Sequence, residues 1–268
     1  MELLTLDQIN AAAELLKPVV RPTPVVASRI LSDSTGKQVW LKCENLQRTG
    51  SFKARGAYNR IANLSAADRA RGVVAASAGN HAQGVAWAAT ELGIASTVFM
   101  PVTVALPKLA ATKAYGAHVH LIGDTVDDAL VAAREYAQQH DAVLIHPFDH
   151  PDVIAGQATV GLEILQQIPD VSTIVVPTGG GGLVAGIATA AHFLAPQARV
   201  IGVQAANAAA WPASLAAGHP VRLESMSTMA DGIAVASPGR FLSPMSGHSS
   251  TRFRRSAKRH CRARCCCA

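Results

Sequence analysis

Short apolar or β-branched runs alternate with Ala-rich stretches of helical period along most of this chain. The runs are QVWLKCE (38–44), GVVAASA (72–78), STVFMP (96–101), HVHLIG (118–123), DAVLIH (141–146), STIVVPT (172–178) and RVIGVQA (199–205). Runs without a polar face belong to strands covered on both sides, and strands separated by helices form parallel sheets. The first helix reads from Leu6 to Lys17, with Thr5 as its N-cap and Pro18 as its stop. Extended segments follow through Cys43, three or four strand and helix units fill Gln47 to Ile145, and the Pro-rich turn HPFDHP leads into a helix from Ala155 to Ile168. No internal repeat interrupts this order. The pattern predicts an α/β fold of two doubly wound, mostly parallel sheet domains. Residues 1–46 with 148–240 would form the larger and 47–147 the smaller, with a cleft where ligands sit beyond the carboxyl ends of strands.

Composition sharpens this picture mainly by being uneven. The net charge of +6 would point to nucleic acid or an anionic membrane if it were spread over the chain. Seven of the 24 Lys and Arg lie in 241–268 with none of the 18 acidic residues, so residues 1–240 carry 17 basic against 18 acidic groups. Neither a nucleic-acid nor a membrane partner is expected of so balanced a body. No apolar run nears the roughly 20 residues of a membrane-spanning helix, and MELLTLDQINAAAELLKPVV is an amphipathic helix rather than a leader. Cys43 is the one thiol of the body, against four at 261–267, which fits a reducing compartment and a cytoplasmic location.

Three segments place polar or glycine residues at the end of an apolar run. In SFKARG (51–56), Lys53 opens a helix, where the dipole disfavours a cation. A plain surface lysine would explain that; so would a desolvated one, whose lowered pKa makes it an imine-forming nucleophile. In SAGNHAQG (77–84), Ser, Gly and Asn at a helix start expose unpaired N–H groups, which make an ordinary cap or a carboxylate site. In TGGGGLVAG (178–186), four consecutive glycines carry a large entropic cost and point to close approach of a phosphate rather than to a tight turn. Gly180, Gly182 and Ala185 also fit a loose dinucleotide fingerprint. The acidic companion that such a site needs is missing, because RVIGVQA brings Gln204 instead.

Together, SFKARG, SAGNHAQG, HPFDHPDVIAGQ, VPTGGGGLVAG and MADGIAV resemble, in this order and spacing, the threonine dehydratase and serine racemase branch of the fold-type II pyridoxal-phosphate enzymes. The resemblance covers about residues 5–240. It implies a tryptophan synthase beta-like fold, pyridoxal 5′-phosphate as cofactor and a small amino acid as substrate. Lys53 would hold the cofactor as a Schiff base and later take the substrate Cα proton, and Phe52 would pack beside the ring. Asn80 would bond the ring 3-hydroxyl; Gly179, Gly180, Gly181 and Gly182 with Leu183 would hold the phosphate; and Ser77, Ala78, Gly79 and His81 would grip the substrate carboxylate. The implied reaction is dehydration and deamination of L-threonine or L-serine to 2-oxobutanoate or pyruvate and ammonia, by a homo-oligomer, dimer or tetramer.

Departures from the pattern narrow the reading. Racemases of this branch place a serine where Ala78 stands, and a methyl group cannot carry a proton, so elimination is expected over racemisation. Gln204 and Ala210 occupy positions where a divalent-metal site would need carboxylates, so no metal is expected. After MADGIAVASPGR the resemblance stops, and activity impaired by loss of the last large-domain elements is expected. The basic, Cys-rich residues 241–268 read as disordered. HCRARCCC has no tetrahedral ligand spacing, whereas codons compatible with FLSPMSGHSSTRF read in another frame as the helical PFAHVRALVDEV, so a frameshift is the expectation there. A product that binds cofactor or partners without turnover is the first alternative, and serine or threonine racemase-like activity the second.

Overall fold

The computed structural model describes residues 4–239 and the backbone of 251–256. The chain divides into two compact units, one of Ala11–Pro147 and the other of Met1–Asn10 with Phe148–Ala268. Residues 11–46, read from sequence with the larger domain, thus group with the smaller one.

Helix α1 (Leu6–Leu16) opens with a reciprocal cap: Gln8 N–H donates to Thr5 Oγ1 at 3.3 Å, and Thr5 N–H to Gln8 Oε1 at 2.9 Å. Strands β1 (Val25–Ala27) and β2 (Trp40–Lys42) follow, joined by α2 (Arg29–Thr35). They pair antiparallel, which corrects the reading of QVWLKCE as part of a parallel sheet. The reason is that α2 buries no residue, so it cannot pack across a sheet as a crossover helix does; it turns the chain back and ends at Gly36 with φ 64°.

Helices α3 (Lys53–Ala62) and α4 (Ala66–Arg71) lead into β3 (Val73–Ala76), α5 (Asn80–Glu91), β4 (Ser96–Met100), α6 (Leu106–Ala114), β5 (His118–Leu121), α7 (Val126–His140) and β6 (Val143–Leu144). These four strands make a parallel sheet in the order β5-β4-β3-β6. Side chains of β3 alternate between two covered faces. Val73 and Ala75 pack with Ala54, Ile61 and Val85 of α3 and α5, while Val74 and Ala76 pack with Ala129 and Ala133 of α7. That burial on both sides is why GVVAA has no polar position.

In the other unit α8 (Pro151–Gln167) starts four residues before Ala155, because Pro151 of the supposed turn takes the first helical position, with His150 Nδ1 accepting from Asp152 N–H as the cap. Strands β7 (Thr173–Pro177) and β8 (Arg199–Ala205) flank α9 (Gly182–Leu194), and α10 (Trp211–Ala217) follows. The sheet is parallel in the order β7-β8-β9, with β9 at Thr251–Ser256. This corrects the expectation of disorder for 241–268 at those six positions: the second edge of β8 has N–H and C=O groups to satisfy, and a parallel strand satisfies them. Other residues of that segment, including the His260 to Cys267 cluster, lie outside the described residues. Strand β7 departs from two-sided burial too, since Ile174 and Val176 are buried but Val175 is 62% exposed.

Candidate active site

Lys53 is the first residue of α3. Its backbone N–H donates to Ser51 Oγ at 3.4 Å, and its Nζ donates to the Pro147 carbonyl at 2.7 Å and lies 5.5 Å from the Phe52 ring centroid. Burial depresses its pKa from 10.5 to about 8, so far more of the amine is uncharged near neutral pH than in an ordinary lysine. Gly84 explains how α5 comes so close. A Cβ there would stand 3.2 Å from the Lys53 carbonyl carbon and oxygen, so glycine lets the α5 backbone pass over the start of α3 without displacing it.

The segment after β3 is held by its own atoms. Ser77 N–H donates to the Phe99 carbonyl at 3.1 Å, and Ser77 Oγ accepts from Gly79 N–H at 3.1 Å. Helix α5 then begins at Asn80 with Gly79 as an N-cap that offers no side chain. Asn80 is exposed and Ala78 half-buried. The His81 ring is buried and its Nε2 meets the Ile145 carbonyl at 2.8 Å; burial first, then the Lys53 charge, push its pKa down to about 3. Packing of α3 on α5 therefore brings Phe52, Lys53 and Ser77 through His81 together. The His81 Nε2 is thus committed to the Ile145 carbonyl.

In the other unit, Thr178 N–H extends the ladder to the Val203 carbonyl at 2.8 Å, and the chain turns into α9 through Gly181 at φ 108°, an N-cap without a side chain. The turn is fastened by its carbonyls, Gly179 accepting from Trp211 Nε1 at 3.0 Å and Gly180 from Gly239 N–H at 2.9 Å. The start of α9 has no side-chain cap, and a helix start is where the dipole favours an anion. The glycines have a further cause that the sequence concealed. A Cβ on Gly180 would fall 2.3 Å from the Phe148 ring, one on Gly182 2.9 Å from the Phe148 carbonyl oxygen, and one on Gly179 2.9 Å from Val235 Cγ2. Gly180 and Gly182 are thus moulded on Phe148 and Gly179 on Val235, while Gly181 turns the chain and Leu183 lies in the first turn of α9.

Several residues escaped the sequence reading. Arg55 is fully buried and makes a two-point pair with Glu44, Nε to Oε2 and Nη2 to Oε1 both at 2.9 Å, while Thr23 Oγ1 donates to Glu44 Oε1 at 2.5 Å. This anchors the first turn of α3 two residues beyond Lys53. Gln204, which stood against a dinucleotide site, is buried, with Oε1 accepting from Trp211 N–H at 3.0 Å. It fastens the start of α10. The Arg and Glu types in SFKARG and KCEN were visible, but nothing local signalled that they meet.

In one unit a buried amine of lowered pKa lies at a helix start, and in the other a glycine turn opens a helix without a side-chain cap; in an α/β protein these are features that imine-forming enzymes use. Residues 16–265 match the family described as pyridoxal-phosphate dependent enzyme. The L-threonine ammonia-lyase of Thermotoga maritima is 51% identical over 237 residues, which is 88% of this chain and 59% of that protein. Threonine deaminase isoform 2 from Solanum lycopersicum, in its processed form, superposes with a TM-score of 0.86 at 38% identity, covering 94% of this chain and 71% of that one. Maize serine racemase gives 0.90 at 34% identity, with 96% and 78% covered. The chain belongs to the pyridoxal-phosphate dependent enzymes, in the branch that holds threonine dehydratases and serine racemases. It spans somewhat under three fifths of the length of the Thermotoga protein.

Proposed function

We propose that this chain, with pyridoxal 5′-phosphate held by Lys53, removes the β-hydroxyl and the amine of L-threonine or L-serine to give 2-oxobutanoate or pyruvate and ammonia. The observation that carries the reading is the Lys53 amine, held by the Pro147 carbonyl, close enough to act on His81 in the first turn of α5, and depressed to a pKa of about 8. The residues present fit the cofactor on two counts. An amine whose pKa is lowered to about 8 keeps a reactive uncharged fraction near neutral pH that can condense with an aldehyde, and the uncapped start of α9 offers N–H groups to a phosphate.

Lys53 would hold the cofactor, with Phe52 beside its ring and Asn80 on the 3-hydroxyl, while Gly179, Gly180, Gly181, Gly182 and Leu183 would hold the phosphate. Once bound, the cofactor supplies a conjugated electron sink for negative charge developing at the substrate Cα. Lys53 is the base for the Cα proton, since its lowered pKa leaves it able to accept one at working pH. N–H groups from Ser77, Ala78, Gly79 and His81 would orient the substrate carboxylate. At position 78 a methyl group offers no proton, which favours elimination over racemisation. A cytoplasmic homo-oligomer, dimer or tetramer, completes the proposal; exposed Trp40 and Val175 support association, and the single thiol of residues 1–240 supports a reducing compartment.

Absorbance with and without borohydride tests the reading. The expected result is a visible band that reduction fixes as an adduct on Lys53, together with 2-oxobutanoate from L-threonine. An adduct on any other residue, or none, overturns it; D-serine formed from L-serine would replace elimination by racemisation.

A further inference from the structure

The His81 imidazole has a geometry beyond the carboxylate site to which its N–H belongs. A carbonyl only accepts, so the Nε2 that meets Ile145 must carry the hydrogen, and the ring is held as one neutral tautomer. Ile145 is also tied on its other side, where its N–H donates to the Val74 carbonyl at 2.9 Å as an extension of β3. Both backbone polar groups of Ile145 are therefore pinned. Two residues on, the Pro147 carbonyl accepts from Lys53 Nζ. Few torsions are free between the two carbonyls: His146 precedes a proline and is restricted to extended backbone, and the ring of Pro147 sets its own φ. Holding the Ile145 carbonyl thus goes far towards aiming the Pro147 carbonyl.

We propose that His81 is a positioning residue, clamping the Ile145 carbonyl so that the Pro147 carbonyl holds the Lys53 amine in place to meet the cofactor. This rests on the reading of Lys53 as the cofactor's amine. The groups around that amine are the Phe52 ring, the Pro147 carbonyl and His81, and His146 acts on His81 in turn. Because His81 stays neutral down to about pH 3, it acts through its N–H and not through its charge. Without the clamp the ammonium form of Lys53 loses its acceptor, which pushes its pKa further down.

The test uses the full chain and pyridoxal phosphate. The rate at which Lys53 captures the cofactor is followed by visible absorbance against pH in wild type, His81→Gln and His81→Asn, with Lys53→Ala as background. The Gln amide reaches about as far as Nε2; the Asn amide, chemically the same, is one methylene short. His81→Gln is expected to keep the wild-type midpoint, whereas His81→Asn lowers it by roughly one to two pH units, the worth of a hydrogen bond to a charged group, and slows capture about tenfold. A wild-type midpoint in His81→Asn, or a Gln variant displaced as far as Asn, overturns the proposal. Should His81→Asn not fold, the Gln variant alone decides, a kept midpoint supporting and a shifted one refuting. Failure of wild type to capture the cofactor on Lys53 overturns the functional reading and the clamp with it; capture in wild type with variants unchanged overturns the clamp alone.

Discussion

The starts of α3 and α9 are both helix N-termini that carry candidate site residues, yet they are built by opposite means. Around Lys53 the work is done by side chains: the Arg55–Glu44 pair beneath the first turn, the Pro147 carbonyl on the amine and His81 on Ile145. The turn at Gly181 offers only backbone of its own, with the Trp211 indole and the Gly239 N–H fastening two of its carbonyls and the Phe148 ring filling the space that side chains would take. The first arrangement tunes a proton and is sensitive to charge. The second shapes a surface and is sensitive to volume.

Substitutions at the two starts should therefore fail in different ways. Lys53→Ala is expected to have the largest effect, removing the reducible adduct and lowering turnover by roughly 10²- to 10⁴-fold from loss of the base alone. Steady-state kinetics and mass spectrometry of the reduced protein check it. The same group links pH to stability. Its folded pKa of about 8 lies below the unfolded value of 10.5, so between these pH values the unfolded chain binds more protons and cofactor-free stability rises with pH. Thermal melts should show Lys53→Met most advantaged over wild type below pH 8, with the gap closing towards pH 10.5; a gap that stays constant would mean that Lys53 is not desolvated.

Arg55→Met comes next, because it leaves the Glu44 carboxylate without the cation it pairs with. A loss of about 3 to 5 kcal/mol is expected in urea unfolding, and the double change with Glu44→Leu should recover much of it. At the glycine turn, Gly180→Ala forces the Phe148 ring aside at a cost of about 1 to 3 kcal/mol. Phe148→Leu in the same chain should restore stability without restoring cofactor affinity, and recovery of both would show that volume around Phe148 is all the turn requires. Gly84→Ala should be mildest. Its Cβ displaces the Lys53 backbone by a few tenths of an ångström, so cofactor capture should slow about three- to tenfold while better helix propensity offsets the strain in a melt.

What could be read beforehand differed between the same two regions. All seven apolar runs became strands; burial on both faces explains the lack of a polar face in β3, whereas β2 and β5 are largely exposed and were marked by their apolar and β-branched residues instead. QVWLKCE was misread in direction, since pairing sense depends on whether α2 packs on a sheet, and its exposed side chains show that it does not. The start of α8 was placed late because Pro151 looked like a turn residue and is instead the first residue of the helix. Glycine, serine and lysine at helix starts were legible as candidates, because those types are unusual there and each has a local cause.

From residue order alone came the α/β class, the strand positions and the residue types at each helix start, all of which rest on neighbours a few positions apart. Only the folded chain decided that Lys53 is desolvated, that His81 is neutral and committed to Ile145, that Arg55 meets Glu44, and that Phe148 moulds the glycine turn. Those properties depend on burial and on partners as far as 94 positions away, as Lys53 and Pro147 are. Distance along the chain carries no record of which dielectric an amine will occupy or which carbonyl will face it.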